Sequence, residues 1–299
     1  MTGMDYSDAR AVFGLSCTGE PTSTGASGSL VIGSFTDNVD LPAVTTPYMI
    51  RAIIADTGSS LVVNQSVGTT SGSTAFTAGA AQVETATVTA ASGCTSNGTM
   101  TLVVTAAGMT GSPKNVAVAL TTTEHTTAAL IAAAARTSLN ADADVAAMFT
   151  AGGTGANITL TRKPTATFTV PTGTLNLYAA NDGTINLAIP SGLGVTAAGT
   201  STNTTAGVLS AGCKVYDGDG KDHEGETLPA ISDVHAIRIK VENTGAVGCD
   251  FVTDSSTDVL TAGELYQRTS PAYGLPITTT YEFTPTAGPV DLTLTVFGL

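Results

Sequence analysis

Apolar and polar positions alternate with a period of two in several stretches of the chain, and elsewhere β-branched residues gather in short runs; both patterns predict β-strands. "YMIRAII" (48–54) and "HAIRIKV" (235–241) are β-branched runs bounded by turn residues. A second apolar run follows each, "SLVV" (60–63) and "VGCDFV" (247–252), so each pair is expected to form a hairpin opening a small antiparallel sheet. "VETATVTAAS" (83–92), "TMTLVVTAAG" (99–108) and "KNVAVALTT" (114–122) predict three more strands. The period then lengthens. "HTTAALIAAAARTSL" (125–139) carries one apolar face at helical spacing, with Thr123 as the expected N-cap and Glu124 in the first turn. "DADVAAMF" (142–149) predicts a short second helix capped by Asp142. "ANITLTRK", "GTLNLYAA" and "GTINLAI" (156–163, 173–180 and 183–189) return to strand.

The chain repeats itself. Residues 41–58, "LPAVTTPYMIRAIIADTG", align without a gap with residues 228–245, "LPAISDVHAIRIKVENTG", at an offset of 187, and seven of the eighteen positions are identical. Further on, "FTAG" (76–79) corresponds to "LTAG" (260–263). Each copy ends in turn chemistry, a short polar side chain followed by Thr-Gly, where glycine is expected to supply a positive φ. Arg51 and Arg238 match, and an Arg inside an apolar strand is expected to face solvent or an acid on a neighbouring subunit. Tyr48 and His235 also match and read as packing residues.

The first of these turns spells Asp56-Thr57-Gly58-Ser59-Ser60, the form in which a pepsin-like aspartic protease presents a catalytic carboxylate. That chemistry needs two carboxylates sharing a proton. The second copy has Asn243, whose amide cannot take up that proton. Asp56 is therefore read as a turn residue, and an aspartic-protease-like hydrolase is kept as an alternative.

Composition narrows the classes. Lys and Arg number 11 against 24 Asp and Glu, a net charge of −13, so neither nucleic acid nor an anionic membrane is an expected partner. The longest apolar run, "AALIAAAA" (128–135), is far shorter than the roughly 20 residues of a membrane span. The first residues, "MTGMDYSDARAVFG", carry acids and no apolar core, so no signal peptide is expected and the protein is read as soluble and made in a cytosol. Cys17, Cys94, Cys213 and Cys249 form no C-x-x-C pair and read as free or buried thiols; with three histidines, no zinc site is expected. "DGDGKDHEGE" (217–226) clusters Asp217, Asp219, Asp222, Glu224 and Glu226, but Lys221 and Leu228 break the EF-hand pattern, and it reads as a solvated acidic turn. "GGTGAN" (152–157) precedes no predicted helix and reads as a loop rather than a phosphate cradle. No catalytic, cofactor-binding or metal residue is assigned and no cofactor is expected. A carbohydrate-binding adhesin would want exposed aromatics, and the chain has seven Tyr and no Trp.

Between the copies, residues of about 84–190 carry the order "TLVVTAAGMTGSPKNVAVAL", "RTSLNADADVAAMFTAGGTGANITLTRK", "ANDGTINLAI". This resembles a module found in structural proteins of tailed bacteriophages. The flanking "YDGDGKDHEGETLPAISDVHAIRI" (216–239) and "GLPITTTYEFTPTAGPVDLTLTVFGL" (274–299) look like virion proteins of the β-sandwich kind. The expected fold is mainly β: a duplicated antiparallel β-sandwich or barrel-like body (1–81 and 208–299) with an inserted α+β domain (82–207). The resemblance implies a non-enzymatic virion component, a capsid decoration, cement or head-fibre protein assembled in the host cytoplasm. Its implied partners are copies of itself, as a trimer, and other virion proteins such as the major capsid protein. A tail-tube, neck or tail-fibre-base protein is the alternative within the virion.

Overall fold

The computed structural model describes residues 48–64, 72–73, 75–196, 199–222, 236–252, 257–269 and 280–298. Among these the chain is mainly β, with two helices. It divides into two compact units, one drawn from 1–77, 170–173 and 211–299, the other from 78–169 and 174–210.

The first strands are β1 (Tyr48–Ile54), β2 (Leu61–Asn64) and β3 (Gly72–Ser73). Next come β4 (Val83–Thr87), β5 (Thr89–Ala90), β6 (Gly98–Thr105), β7 (Lys114–Leu120), the helices α1 (Ala128–Ala141) and α2 (Ala143–Met148), then β8 (Phe149–Gly152) and β9 (Asn157–Arg162). They are followed by β10 (Ala166–Val170), β11 (Gly173–Leu177), β12 (Asn186–Ile189), β13 (Val195–Thr196), β14 (Gly199–Thr200) and β15 (Thr202–Thr205). The chain closes with β16 (Cys213–Asp217), β17 (Ala236–Asn243), β18 (Cys249–Val252), β19 (Thr257–Leu260), β20 (Leu265–Thr269), β21 (Thr280–Pro285) and β22 (Val290–Gly298).

The first unit contains two five-stranded sheets, ordered β16-β1-β22-β17-β20 and β19-β18-β21-β2-β3. Alternation sends every second side chain inward. Ile50, Ile54, Val215, Leu292 and Leu294 of one sheet meet Leu61, Phe251, Tyr281 and Phe283 of the other in one buried cluster. Each such aliphatic side chain contributes about 1.5–3 kcal/mol by leaving water.

The paired runs do not form hairpins. β1 and β2 lie in different sheets, and so do β17 and β18. The turn after each first strand is a corner that carries the chain from one sheet to the other. β1 and β17 both run antiparallel to β22, on its two sides. Their strand-level register differs: Arg51 lies opposite Thr293 and Arg238 opposite Phe297, four residues apart on the shared strand. A shift of four keeps side-chain faces matched, because the strand period is two.

The second unit holds the sheets β14-β12-β6-β7 and β15-β4-β9-β8, with β5 paired to β13. Its core joins Leu102, Val118, Ile158, Leu160 and Leu187 to one face of α1: Ile131, Ala132, Ala135 and Leu139. α1 is alanine-rich, which favours helix. It starts later than expected. Thr127, not Thr123, is the N-cap, and its hydroxyl accepts from the Leu130 amide at 3.3 Å. Residues 121–125 are held in a turn by His125 N–H to Thr121 O (3.0 Å) and Thr121 N–H to His125 Nδ1 (3.0 Å). Asp142 ends α1 and caps α2, accepting from the amides of Asp144 and Val145 at 3.1 Å. The "GGTGAN" stretch is the β8–β9 hairpin loop. A Cβ on Gly153 would lie 2.5 Å from Asn157 O, so the turn closes only with glycine there.

Candidate functional site

The two corners are the places where the sequence comes nearest to an active-site motif. After β1 the chain turns at Asp56 with Thr57 and Gly58 exposed. Ser59 is buried, donates its hydroxyl to Asp56 Oδ1, and accepts from the Gly212 amide at 2.7 Å. The Asp56 carboxylate is thus tied through one hydroxyl to the segment entering β16. Gly212 sits at φ +89°, and a Cβ there would collide with Ala75 O at 2.0 Å. Gly58 is not among the glycines with positive φ, and a Cβ there would find its nearest neighbour at 3.8 Å. The expectation that the Thr-Gly step needs a left-handed glycine is therefore corrected at this corner.

The second corner is built differently. Asn243 is fully buried. Its Nδ2 donates to Val247 O (2.8 Å) and Leu260 O (3.2 Å), and its Oδ1 accepts from the Gly245 amide (3.0 Å). Thr244 donates its amide and hydroxyl to Asp291 O, at 2.9 and 3.1 Å. Gly245 is required by crowding rather than by φ, since a Cβ would sit 3.0 Å from the Asp291 amide nitrogen. One corner thus presents a carboxylate and the other a buried amide that donates twice. An amide in that role organises backbone and exchanges no proton with Asp56.

Arg51 has its acid within the chain, in place of the expected solvent or neighbouring subunit. Its Nε and Nη2 donate to the two oxygens of Asp291 at 3.0 and 2.7 Å, a bidentate pair across β1 and β22. Hydrogen bonding to Asp291 holds the guanidinium above its ordinary pKa. The side chain of Arg238, and those of Tyr48 and His235, lie outside the described residues. In the acidic loop, Asp222 accepts from Lys214 Nζ at 2.7 Å, while Glu224 and Glu226 lie outside the described residues. No group of three or more His, Cys, Asp or Glu positioned for a metal occurs among the described residues.

Cys94, Cys213 and Cys249 are free and buried; Cys17 lies outside the described residues. Burial pushes the Cys213 and Cys249 thiols up from 9.0 to about 12. Both should therefore resist iodoacetamide in the native protein at pH 8 and react on unfolding, as mass spectrometry of alkylated protein would show. The sign for stability follows. The folded state keeps these protons and the unfolded state releases them from about pH 9, so the thiols' contribution is complete below pH 9 and lost between about 9 and about 12. Urea midpoints measured on either side of pH 9 should fall with rising pH.

The second unit contains a polar cluster that motif reading passed over. Gln82 and Glu84 are buried. Gln82 Nε2 donates to Glu84 Oε1 (3.0 Å) and Asp182 O (2.9 Å), its Oε1 accepts from the Asp182 amide (2.7 Å), and Ser201 donates to Glu84 Oε2 (3.1 Å). The signal lay in the period: Glu84 shares parity with the buried Ala86, so it is an acid on the core side of β4. The cluster joins three distant stretches of the chain. A depression lined by Met109, Asp144, Met148, Arg162 and Lys163 adjoins the cluster through Arg162, whose amide donates to Gln82 O at 2.9 Å. Its charges are engaged within the chain: Lys114 with Asp144, Lys163 with Ala146 O, and Arg162 with Asp182 at 4.0 Å.

Comparison with protein-family models, with curated proteins and with solved structures gave no match.

Proposed function

We propose that this chain is a non-enzymatic structural protein of a tailed-phage virion, a capsid decoration or head-fibre protein that works as a homo-oligomer and binds neighbouring virion proteins such as the major capsid protein. In this reading the two five-stranded sheets are a β-sandwich made by duplication, with residues 82–207 inserted between the copies. The observation that carries the reading is a sheet margin prepared for contact. Val252, Val259 and Leu265, exposed by 37%, 50% and 50%, fall on the consecutive strands β18, β19 and β20, and among the described residues β19 and β20 are the outermost strands of their sheets. Exposed apolar groups beside unpaired strand edges favour association with another chain. The resemblance of residues 84–190 to a phage module supplies the setting, and the amide at Asn243 supports a non-enzymatic role for the corners.

Mass photometry of the purified protein, with and without phage capsids assembled in its absence, tests the reading. The expected result is a discrete oligomer, a trimer in the simplest case, that decorates the capsids. Asp56→Asn should assemble and decorate as the parent does. A monomer that attaches to no capsid would overturn the reading, as would peptide cleavage at acidic pH that Asp56→Asn abolishes.

A further inference from the structure

We propose that the outer face of the β19-β18-β21 sheet docks a basic protein surface, distinct from this chain, around an apolar contact at Val252 and Val259. The proposal rests on the virion reading and names one of its contacts.

Register defines the face. Asp250 lies opposite both Val259 and Thr284, and Val252 opposite both Thr257 and Glu282; Val62 lies opposite Glu282 in turn. These positions share one parity, opposite to that of the buried Cys249, Phe251, Phe283 and Leu61. The face therefore reads Val259-Asp250-Thr284 in one row and Thr257-Val252-Glu282-Val62 in the next. Each exposed valine stands directly opposite an acid, Val259 across from Asp250 and Val252 across from Glu282. The five strands of this sheet hold Asp250, Asp258 and Glu282, and not one Lys or Arg.

Charge selects the occupant. An apolar patch bordered by one sign of charge fits a surface bearing the other. A second copy of this chain is a poor source of cations: its net charge is −13. Its bases with described contacts are already engaged at home, Arg51 with Asp291, Lys214 with Asp222, Lys114 with Asp144, Arg162 with Asp182, Lys163 with Ala146 O and Arg136 with Asn157 O. Isologous pairing of the face with itself would set acid against acid. The fitting partner presents Lys or Arg around an apolar spot, on another protein of the particle.

Binding to capsids assembled without this protein tests it, with oligomeric state followed in parallel by mass photometry. Wild-type binding should weaken as salt rises. The double reversal Asp250→Lys/Glu282→Lys, on the solvent side of the sheet, should lower capsid affinity by about tenfold or more and leave the oligomer intact. Val259→Ser should weaken binding with little change in its salt dependence, and serves alone if the double variant melts early. Undiminished capsid binding by these variants would overturn the docking face while the virion reading stands. So would loss of the oligomer with capsid binding retained, since the face would then meet a sister chain. Failure of the wild type to bind capsids would sink the virion reading and this inference with it.

Discussion

Asn243→Asp should destabilise the first unit by about 3 kcal/mol at pH 7. The change adds almost no volume and would complete a second Asp-Thr-Gly, so on motif grounds it looks like a repair. The structure points the other way. Nδ2 of Asn243 donates to two carbonyls, Val247 O and Leu260 O, in a site with no solvent exposure. A carboxylate there loses both donors, faces two oxygens and buries its charge. Protonation is its partial escape, so the folded-state pKa of the introduced carboxyl would rise above the unfolded value. The folded state then binds the extra proton, and the deficit should shrink as pH falls from 7 toward the unfolded carboxyl range of about 4. Urea denaturation of the variant and parent at pH 7 and pH 5 measures both terms. A variant as stable as the parent at pH 7 would refute the structural role of this amide.

The two corners show which parts of this fold can be read locally. The strands themselves are legible, because alternation in "TMTLVVT" and "KNVAVAL" is the same alternation that buries Met100, Leu102 and Val104, and Val116, Val118 and Leu120. The Asp142 cap is legible for a similar reason, since an acid directly before a short apolar period meets free amides in its own turn. Pairing is not always local. β1 and β2 are separated by six residues, yet they do not pair: β1 lies between β16 and β22, and β2 between β3 and β21, which is more than 200 residues further on. Turn chemistry reports that the chain bends, not which sheet receives it, and so the hairpin expectation failed. The choice of Thr127 over Thr123 was likewise set from outside. The Cys94 amide donates to His125 O at 2.7 Å, which pins that segment before a helix can begin. At the site, the difference between Asp56 and Asn243 was visible in the letters. The partners of Asn243 and the Arg51–Asp291 pair, spanning 240 residues, were not.

Phe251→Ala should cost about 3–5 kcal/mol, at the upper end for a core truncation. The chain has only 8 Phe, 7 Tyr and no Trp, and four of those rings meet at this point. Phe251 stacks on Tyr281 and Phe283 with centroids 5.5 and 5.2 Å away, and meets Tyr266 edge-on at 4.6 Å. The surrounding core is mostly Ala, Val, Ile and Leu, whose small side chains cannot swing inward to fill the space of a ring. The four rings also come from strands of both sheets, β18 and β21 on one side and β20 on the other, so a collapse would have to move two sheets. Phe251→Leu keeps most of the volume and should cost roughly 1–2 kcal/mol. Without tryptophan, the near-ultraviolet circular dichroism of the protein is carried largely by tyrosine. Truncation should therefore weaken the bands of Tyr266 and Tyr281 along with the denaturation midpoint, whereas a simple surface role for Phe251 would leave both unchanged.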